Sequence, residues 1–286
     1  MLLEGAIVPL FALALAAAPY AQFTSGVSLV EVYATVTDRQ GGPVTGLTAA
    51  DFRVVEDGTP QTITAFAAGE FPLAVAVGLD RSFSMGAERG VRLNMAKNAA
   101  RAFIGALKPQ DQVMVIAIGS DASVVAPLSA NHGAALAAID RLDAWGTTPL
   151  YDATVSALDA IQSAKGRRAL VLLSDGTDRY SETSAAALVE QVRRRDVLLY
   201  PVAIGPARPA VFAELATASG GRSFMVKDPR ELSSTLTSIA RELRSQYLLG
   251  YVPARPRSEQ PVWHSIDVVV NRTAVLVKAR DGYFSW

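Results

Sequence analysis

The chain of 286 residues contains no cysteine. That excludes disulfides, thiolate metal sites, a cysteine nucleophile and a lipid-modified cysteine. It leaves the compartment open. Charge of either sign in excess is also missing, because 27 basic residues balance 27 acidic ones. Nucleic-acid binders and basic membrane-surface proteins need a positive surplus, so neither class fits. The longest run of like charge is Arg193-Arg194-Arg195, at the end of a predicted helix where cations meet the negative end of the macrodipole. Histidine occurs twice, at His132 in a helix start and His264 in a predicted strand. Neither is expected to meet Ser82 or Ser84 as a base, and both read as surface or capping residues. Motifs of catalysis are absent too: there is no Gly-x-Ser-x-Gly elbow and no Gly-x-x-x-x-Gly-Lys phosphate loop. The scattered aromatics offer no stacking platform for bases.

No apolar stretch is long enough to span a bilayer, which takes about 20 residues. The longest, Ala6 to Ala18, is broken only by Pro9 and followed by Pro19-Tyr20-Ala21. It matches the hydrophobic region of a signal peptide cleaved after Ala21, although Met1-Leu2-Leu3-Glu4 lacks the usual basic residues. The expectation is export to the periplasm or beyond, with no membrane span in the mature chain. The alternative is a buried N-terminal helix.

What is present falls into three parts. From Ser28 to Thr37, Val30, Val32, Ala34 and Val36 alternate with polar residues, the pattern of a half-buried strand. Thr48 to Asp51 resembles a capping box. Phe52 to Glu56 and Thr59 to Phe66 flank Asp57-Gly58, a hairpin signal. After Pro72 the pattern changes to continuous apolar runs, which mark strands buried on both faces: Leu73 to Leu79, Gln112 to Ile118, Ala169 to Leu173, Val197 to Ile204 and Ser223 to Val226. Ser123 to Leu128 is a further short strand. Helical spacing separates them, through Val91, Met95, Ala99, Ala102 and Phe103; Leu136, Ile139 and Leu142; Leu150, Leu158 and Ile161; Leu188 and Val192; and Leu232, Leu236, Ile239 and Leu243.

Strands alternating with helices predict a doubly wound α/β fold with a mainly parallel sheet. After Gln246 strands return, at Tyr247 to Val252, at Ile266, Val268 and Val270, and at Ala274 to Ala279, with a loop from Pro253 to Pro261. Neither end has enough strands for its own sandwich. The predicted organisation is therefore a signal peptide (1–21), a small β-sandwich shared by residues 22–71 and 247–286, and an α/β domain (72–246) inserted into it.

In open α/β sheets ligands bind beyond the carboxyl ends of the strands. There the first buried strand runs into Asp80-Arg81-Ser82-Phe83-Ser84 and the fourth into Ser174-Asp175-Gly176-Thr177-Asp178, while Gly146-Thr147-Thr148-Pro149 opens a helix between them. These loops carry oxygen donors and no sulfur or imidazole, which suits a hard cation: Mg²⁺ first, with Mn²⁺ or Ca²⁺ as alternatives. Asp80, Ser82 and Ser84, spaced by two, can turn inward around one centre. With hydroxyls as direct ligands and Asp80 and Asp175 acting through water, the metal keeps an open position for an external anionic oxygen, such as a partner protein's carboxylate. Each element also has a purely structural reading. Asp80 and Ser84 could cap a helix, Thr148-Pro149 could be an N-cap and first helical residue, and Asp175-Gly176 could be a turn.

Asp80/Ser82/Ser84, Thr148 followed by Leu150-Tyr151-Asp152-Ala153, and Leu172-Leu173-Ser174-Asp175-Gly176 resemble the metal-ion-dependent adhesion site of von Willebrand factor A domains. The likeness runs from about Pro72 to Gln246. The flanking Val44 to Phe52 and Tyr247 to Tyr251 resemble a secreted bacterial family related to those domains. The resemblance implies direct coordination by Ser82, Ser84 and Thr148, with Asp80 and Asp175 acting through water or switching to direct contact. Phe83 and Thr147 depart from the family pattern, where glycine is common, and neither is a ligand. The expected function is adhesion or binding without catalysis. A Mg²⁺-dependent hydrolase at the same residues and a metal-free structural module are the alternatives.

Overall fold

A computed structural model describes residues 29–69, 71–253 and 259–285; the signal-peptide reading of residues 1–21 lies outside them. Leu73–Asp80 (β5), Gln112–Ile118 (β6), Ala122–Ser129 (β7), Arg167–Ser174 (β8), Leu198–Ile204 (β9) and Phe224–Val226 (β10) form one sheet in the order β10-β9-β8-β5-β6-β7. All neighbours are parallel except the edge strand β7, which runs antiparallel to β6. Every residue of β5 and β9 is buried, as strands covered on both faces require. The chain is doubly wound. One face packs on Phe83–Gly105 (α1), His132–Asp140 (α2) and Leu232–Arg244 (α6), the other on Leu150–Ile161 (α3), Ala185–Arg193 (α4) and Ala210–Ser219 (α5).

The remaining strands build a sandwich from both ends of the chain. Val30–Asp38 (β1) lies between Tyr247–Tyr251 (β11) and Val275–Lys278 (β13), with Ile63–Ala68 (β4) beyond β11. The second sheet has the order β14-β12-β2-β3, from Gly282–Ser285, Val262–Val270, Phe52–Glu56 and Thr59–Gln61. The side chains expected inward on β1 are those in its core: Val30, Val32, Ala34 and Val36.

Four details differ from the sequence reading. Thr59 to Phe66 is not one strand: it breaks at Thr62, so that β3 stays with β2 while β4 crosses to the other sheet. The buried face of α1 is Leu93, Ala96, Ala99, Ala100, Phe103 and Ile104, and Val91 is exposed. Gly90, at φ +76° within α1, adopts a left-handed backbone that glycine enters freely. Helix α5 carries no long periodic signal, because its alanine-rich face around Val211, Phe212 and Leu215 is short, preceded by Pro209 and ended by Gly220. Strand β14 follows what had been read as the last strand.

Candidate functional site

Chain direction creates the crevice. From β5 the chain crosses through α1 to β6 on one side, and later returns through α3 to β8 on the other. The loops leaving β5 and β8 therefore diverge, and a gap opens at the carboxyl edge of the sheet.

Backbone hydrogen bonds tie the three polar loops together there. Trp145 N donates to Arg81 O (2.7 Å) and Phe83 N to Gly146 O (3.0 Å), joining the loop before α3 to the loop after β5. Arg179 N donates to Thr148 O (2.7 Å), joining it to the loop after β8. Gly146 permits this approach: at φ +88° it lies so close to Ser120 that a Cβ would stand 2.4 Å from the Ser120 nitrogen. Asp178 Oδ1 accepts from Tyr151 N (3.1 Å) and Ser181 Oγ (2.6 Å), tightening the same junction.

Within this frame Asp80 is completely buried. Its Oδ2 accepts from Ser174 Oγ (2.6 Å) and its Oδ1 from Ser82 N (2.9 Å). Ser82 Oγ and Ser84 Oγ stand 3.0 Å apart. Thr148 is buried and its hydroxyl hydrogen-bonds to no described residue. Half-buried Asp175 accepts from Thr177 N (3.0 Å), and Gly176 follows at φ +80°, so the turn reading of this pair holds as well. The capping readings do not. Ser82 occupies the N-cap of α1 and Pro149 that of α3, and neither makes a side-chain capping bond.

Burial pushes the Asp80 carboxyl above its ordinary pKa, and the neighbouring Asp175 charge pushes the same way; hydrogen bonds from Ser174 and Ser82 offset part of this. A hard cation fits the donor set. Adjacent ligands of an octahedral Mg²⁺ with bonds of 2.0–2.1 Å lie about 2.9 Å apart, close to the separation of the Ser82 and Ser84 hydroxyls. Ser82, Thr148 and Asp175 lie on these joined loops, Asp80 at the end of β5 and Ser84 in the first turn of α1.

The histidines lie elsewhere. His132 Nε2 bonds to the Asp111 carbonyl, before the amino end of β6 and at the opposite edge of the sheet. His264 is not a surface residue: it is 6% exposed, held between Asp57 Oδ2 (2.7 Å from Nδ1) and Ser285 Oγ (3.0 Å from Nε2). Glu56, beside Asp57, accepts from Tyr251 and Tyr283 hydroxyls (2.6 and 2.9 Å). Ligating atoms of Glu56, Asp57 and His264 lie within 4.8 Å of one another, which makes this a second cluster able to hold a cation. Its contacts tie β2, β11, β12 and β14 together. Sequence spacing could not reveal it, because its members are some 200 residues apart and meet only through strand pairing.

The described residues thus build a doubly wound sheet with an oxygen-lined crevice at its switch point. Residues 75–177 match the family model of the von Willebrand factor type A domain, and the chain carries a domain of that type. Solved structures agree in fold. A von Willebrand factor type A protein from Catenulispora acidiphila is 16% identical with a TM-score of 0.54, over 92% of this chain and 75% of that one. That coverage exceeds the α/β part alone and takes in sandwich strands. An aerotolerance-related membrane protein from Bacteroides fragilis is 20% identical with a TM-score of 0.51, over 60% of this chain and 98% of that one. Proximal thread matrix protein 1 from the mussel byssus, with zinc in its MIDAS motif, is 15% identical with a TM-score of 0.54, over 67% and 50%. No curated protein sequence matches significantly. Among the described residues no helix is long and apolar enough to cross a membrane.

Proposed function

We propose that this is an exported binding protein whose metal-ion-dependent adhesion site captures a carboxylate of a partner protein. The observation that carries the reading is the pair of serine hydroxyls 3.0 Å apart beside a completely buried aspartate, on loops stitched together at the sheet's switch point. Ser82, Ser84 and Thr148 would hold the cation directly and Asp80 and Asp175 through water, as in the family the motifs resemble. Mg²⁺ is the first candidate, then Mn²⁺ or Ca²⁺. The bound ion supplies attraction for an anionic oxygen. The chain's own residues orient it, and Arg81, Phe83, Thr177 and Tyr180 border the approach. Catalysis is not part of this reading, since neither histidine adjoins Ser82 or Ser84. In this reading residues 72–246 are the binding domain, and the described strands on either side of it are the sandwich.

The test is calorimetric titration of the whole chain with Mg²⁺ and Mn²⁺, with Asp80→Ala and Ser82→Ala alongside. Saturable binding is expected in the wild type, weakened at least tenfold in each variant. Equal binding in all three proteins would remove the site from the crevice and point to the Glu56–Asp57–His264 cluster instead. Release of phosphate or acyl products under Mg²⁺, abolished by EDTA, would favour a hydrolase.

A further inference from the structure

Phe83, Trp145 and Tyr180 are the large aromatic side chains most open to solvent among the described residues, at 64%, 46% and 79% exposure. The other large hydrophobics that exposed are aliphatic: Leu29, Leu276 and several valines. Each of the three aromatics sits on a different one of the loops around the crevice. Phe83 lies between Ser82 and Ser84, Trp145 three residues before Thr148, and Tyr180 five residues after Asp175. The loops are joined within a residue or two of each ring, by Phe83 N to Gly146 O, Trp145 N to Arg81 O and Arg179 N to Thr148 O.

One of these rings is held in place. The Arg81 guanidinium lies over the Trp145 ring at 5.0 Å from its centroid, and Gly119 backs the indole so closely that a Cβ would stand 2.8 Å from it. Tyr180 adopts φ +68°, which a bulky residue enters at a cost of about 1 kcal/mol or more. Strain spent on a side chain that folding leaves in water points to a role outside folding. Dispersed apolar exposure is ordinary, but aromatic exposure gathered on one polar edge marks an interaction surface.

We infer that the three rings form an apolar collar around the metal crevice, and that the partner segment presents an acidic residue flanked by an aromatic or large aliphatic side chain. This rests on the metal-dependent reading above. The carboxylate meets the ion, and its neighbour covers Phe83 and Tyr180 while the Arg81–Trp145 pair forms the fixed wall. A partner offering only surface carboxylates, as a polyacidic peptide does, would leave the rings wet and bind weakly.

The test uses small probes on the full chain. Calorimetry first measures Mn²⁺ binding, and the Mn²⁺-loaded protein is then titrated with propanoate and with 3-phenylpropanoate, using 3-phenylpropanamide as the uncharged control. The phenyl acid is expected to bind about tenfold more tightly than propanoate, a difference of about 1.4 kcal/mol, and the amide weakly. In the double variant Phe83→Ser, Tyr180→Asn, with asparagine tolerant of positive φ, the preference should fall below twofold while Mn²⁺ affinity stays unchanged. Equal binding of the two acids to the wild type, or a preference that survives in the variant, overturns the collar and leaves the metal site standing. Failure to bind Mn²⁺ overturns both.

Discussion

At the start of α3 one carboxylate fastens a loop to a helix. Asp152 accepts from the backbone N–H of Thr183 (3.0 Å) and Glu182 (2.9 Å), and these bonds hold its pKa below the ordinary carboxylate value. A folded pKa lower than the unfolded one gives stability that is fully present above the unfolded value and is lost as pH falls through the folded value. Asp152→Ala should therefore cost no more than about 1 kcal/mol at neutral pH, since solvent screens these bonds, with the difference closing as pH drops below about 4. Urea denaturation at several pH values measures this, and a pH-independent loss would show that the charge-assisted bonds are not its origin. Asp152 also adjoins the loop that carries Thr148, so the variant's Mn²⁺ affinity should fall as well. Spacing identified Asp80, Ser82, Ser84, Thr148 and Asp175 as candidates, because oxygen donors at strand ends are visible in a linear pattern. Asp152 was visible only as part of a motif, and its bonding to a loop thirty residues away was not.

Loops and helices show which conformations the site depends on. Gly146 carries the backbone oxygen that Phe83 N reaches, with φ at +88° and no room for a Cβ. Gly146→Ala should lower stability by at least about 1–2 kcal/mol from the backbone alone and weaken Mn²⁺ binding by displacing Thr148. Thermal melts with and without Mn²⁺ separate these effects, and an unchanged metal-induced rise in Tm would mean the loop is not part of the ion's frame. The break at Thr62 belongs to the same scale. Local alternation cannot say where a strand changes sheets, since both halves keep β-type residues and only pairing with β11 draws β4 away from β2. Periodicity found helix α1 and put Ala99 and Phe103 on its buried face, but not its start at Phe83 or the exposure of Val91.

Across the whole molecule, the α/β sheet and the sandwich meet through a few buried polar contacts. Arg167, 2% exposed, donates to Gln246 Oε1 (3.0 Å), and Gln246 Nε2 donates to Thr35 Oγ1 (2.8 Å). The Arg167 guanidinium also lies over the Tyr33 and Phe71 rings, at 5.7 and 5.6 Å. On the far side Arg193 pairs with Asp281 at 2.7 Å, so this arginine of the basic triplet holds the sandwich as well as facing its helix dipole. Gln246→Leu strands a buried guanidinium and should destabilise the whole chain by about 2–4 kcal/mol. The effect should appear as one cooperative transition with both lobes losing structure together. Separate transitions would show that the lobes fold independently. Truncation after Gln246 should leave β1 without either neighbour, since β11 and β13 are both C-terminal, and yield an insoluble product.

The linear chain determined the doubly wound class, the presence of strands at both ends and the identity of the oxygen donors. Each of these follows from periodicity or from chemistry within a few residues. Folding alone decided that the loops after β5 and β8 and the loop before α3 are tied together by backbone hydrogen bonds, and that His264 joins Asp57 across the sandwich. Those relations depend on strand order and on backbone hydrogen bonds between distant loops, and contacts between residues tens to hundreds of positions apart leave no periodic trace in a sequence.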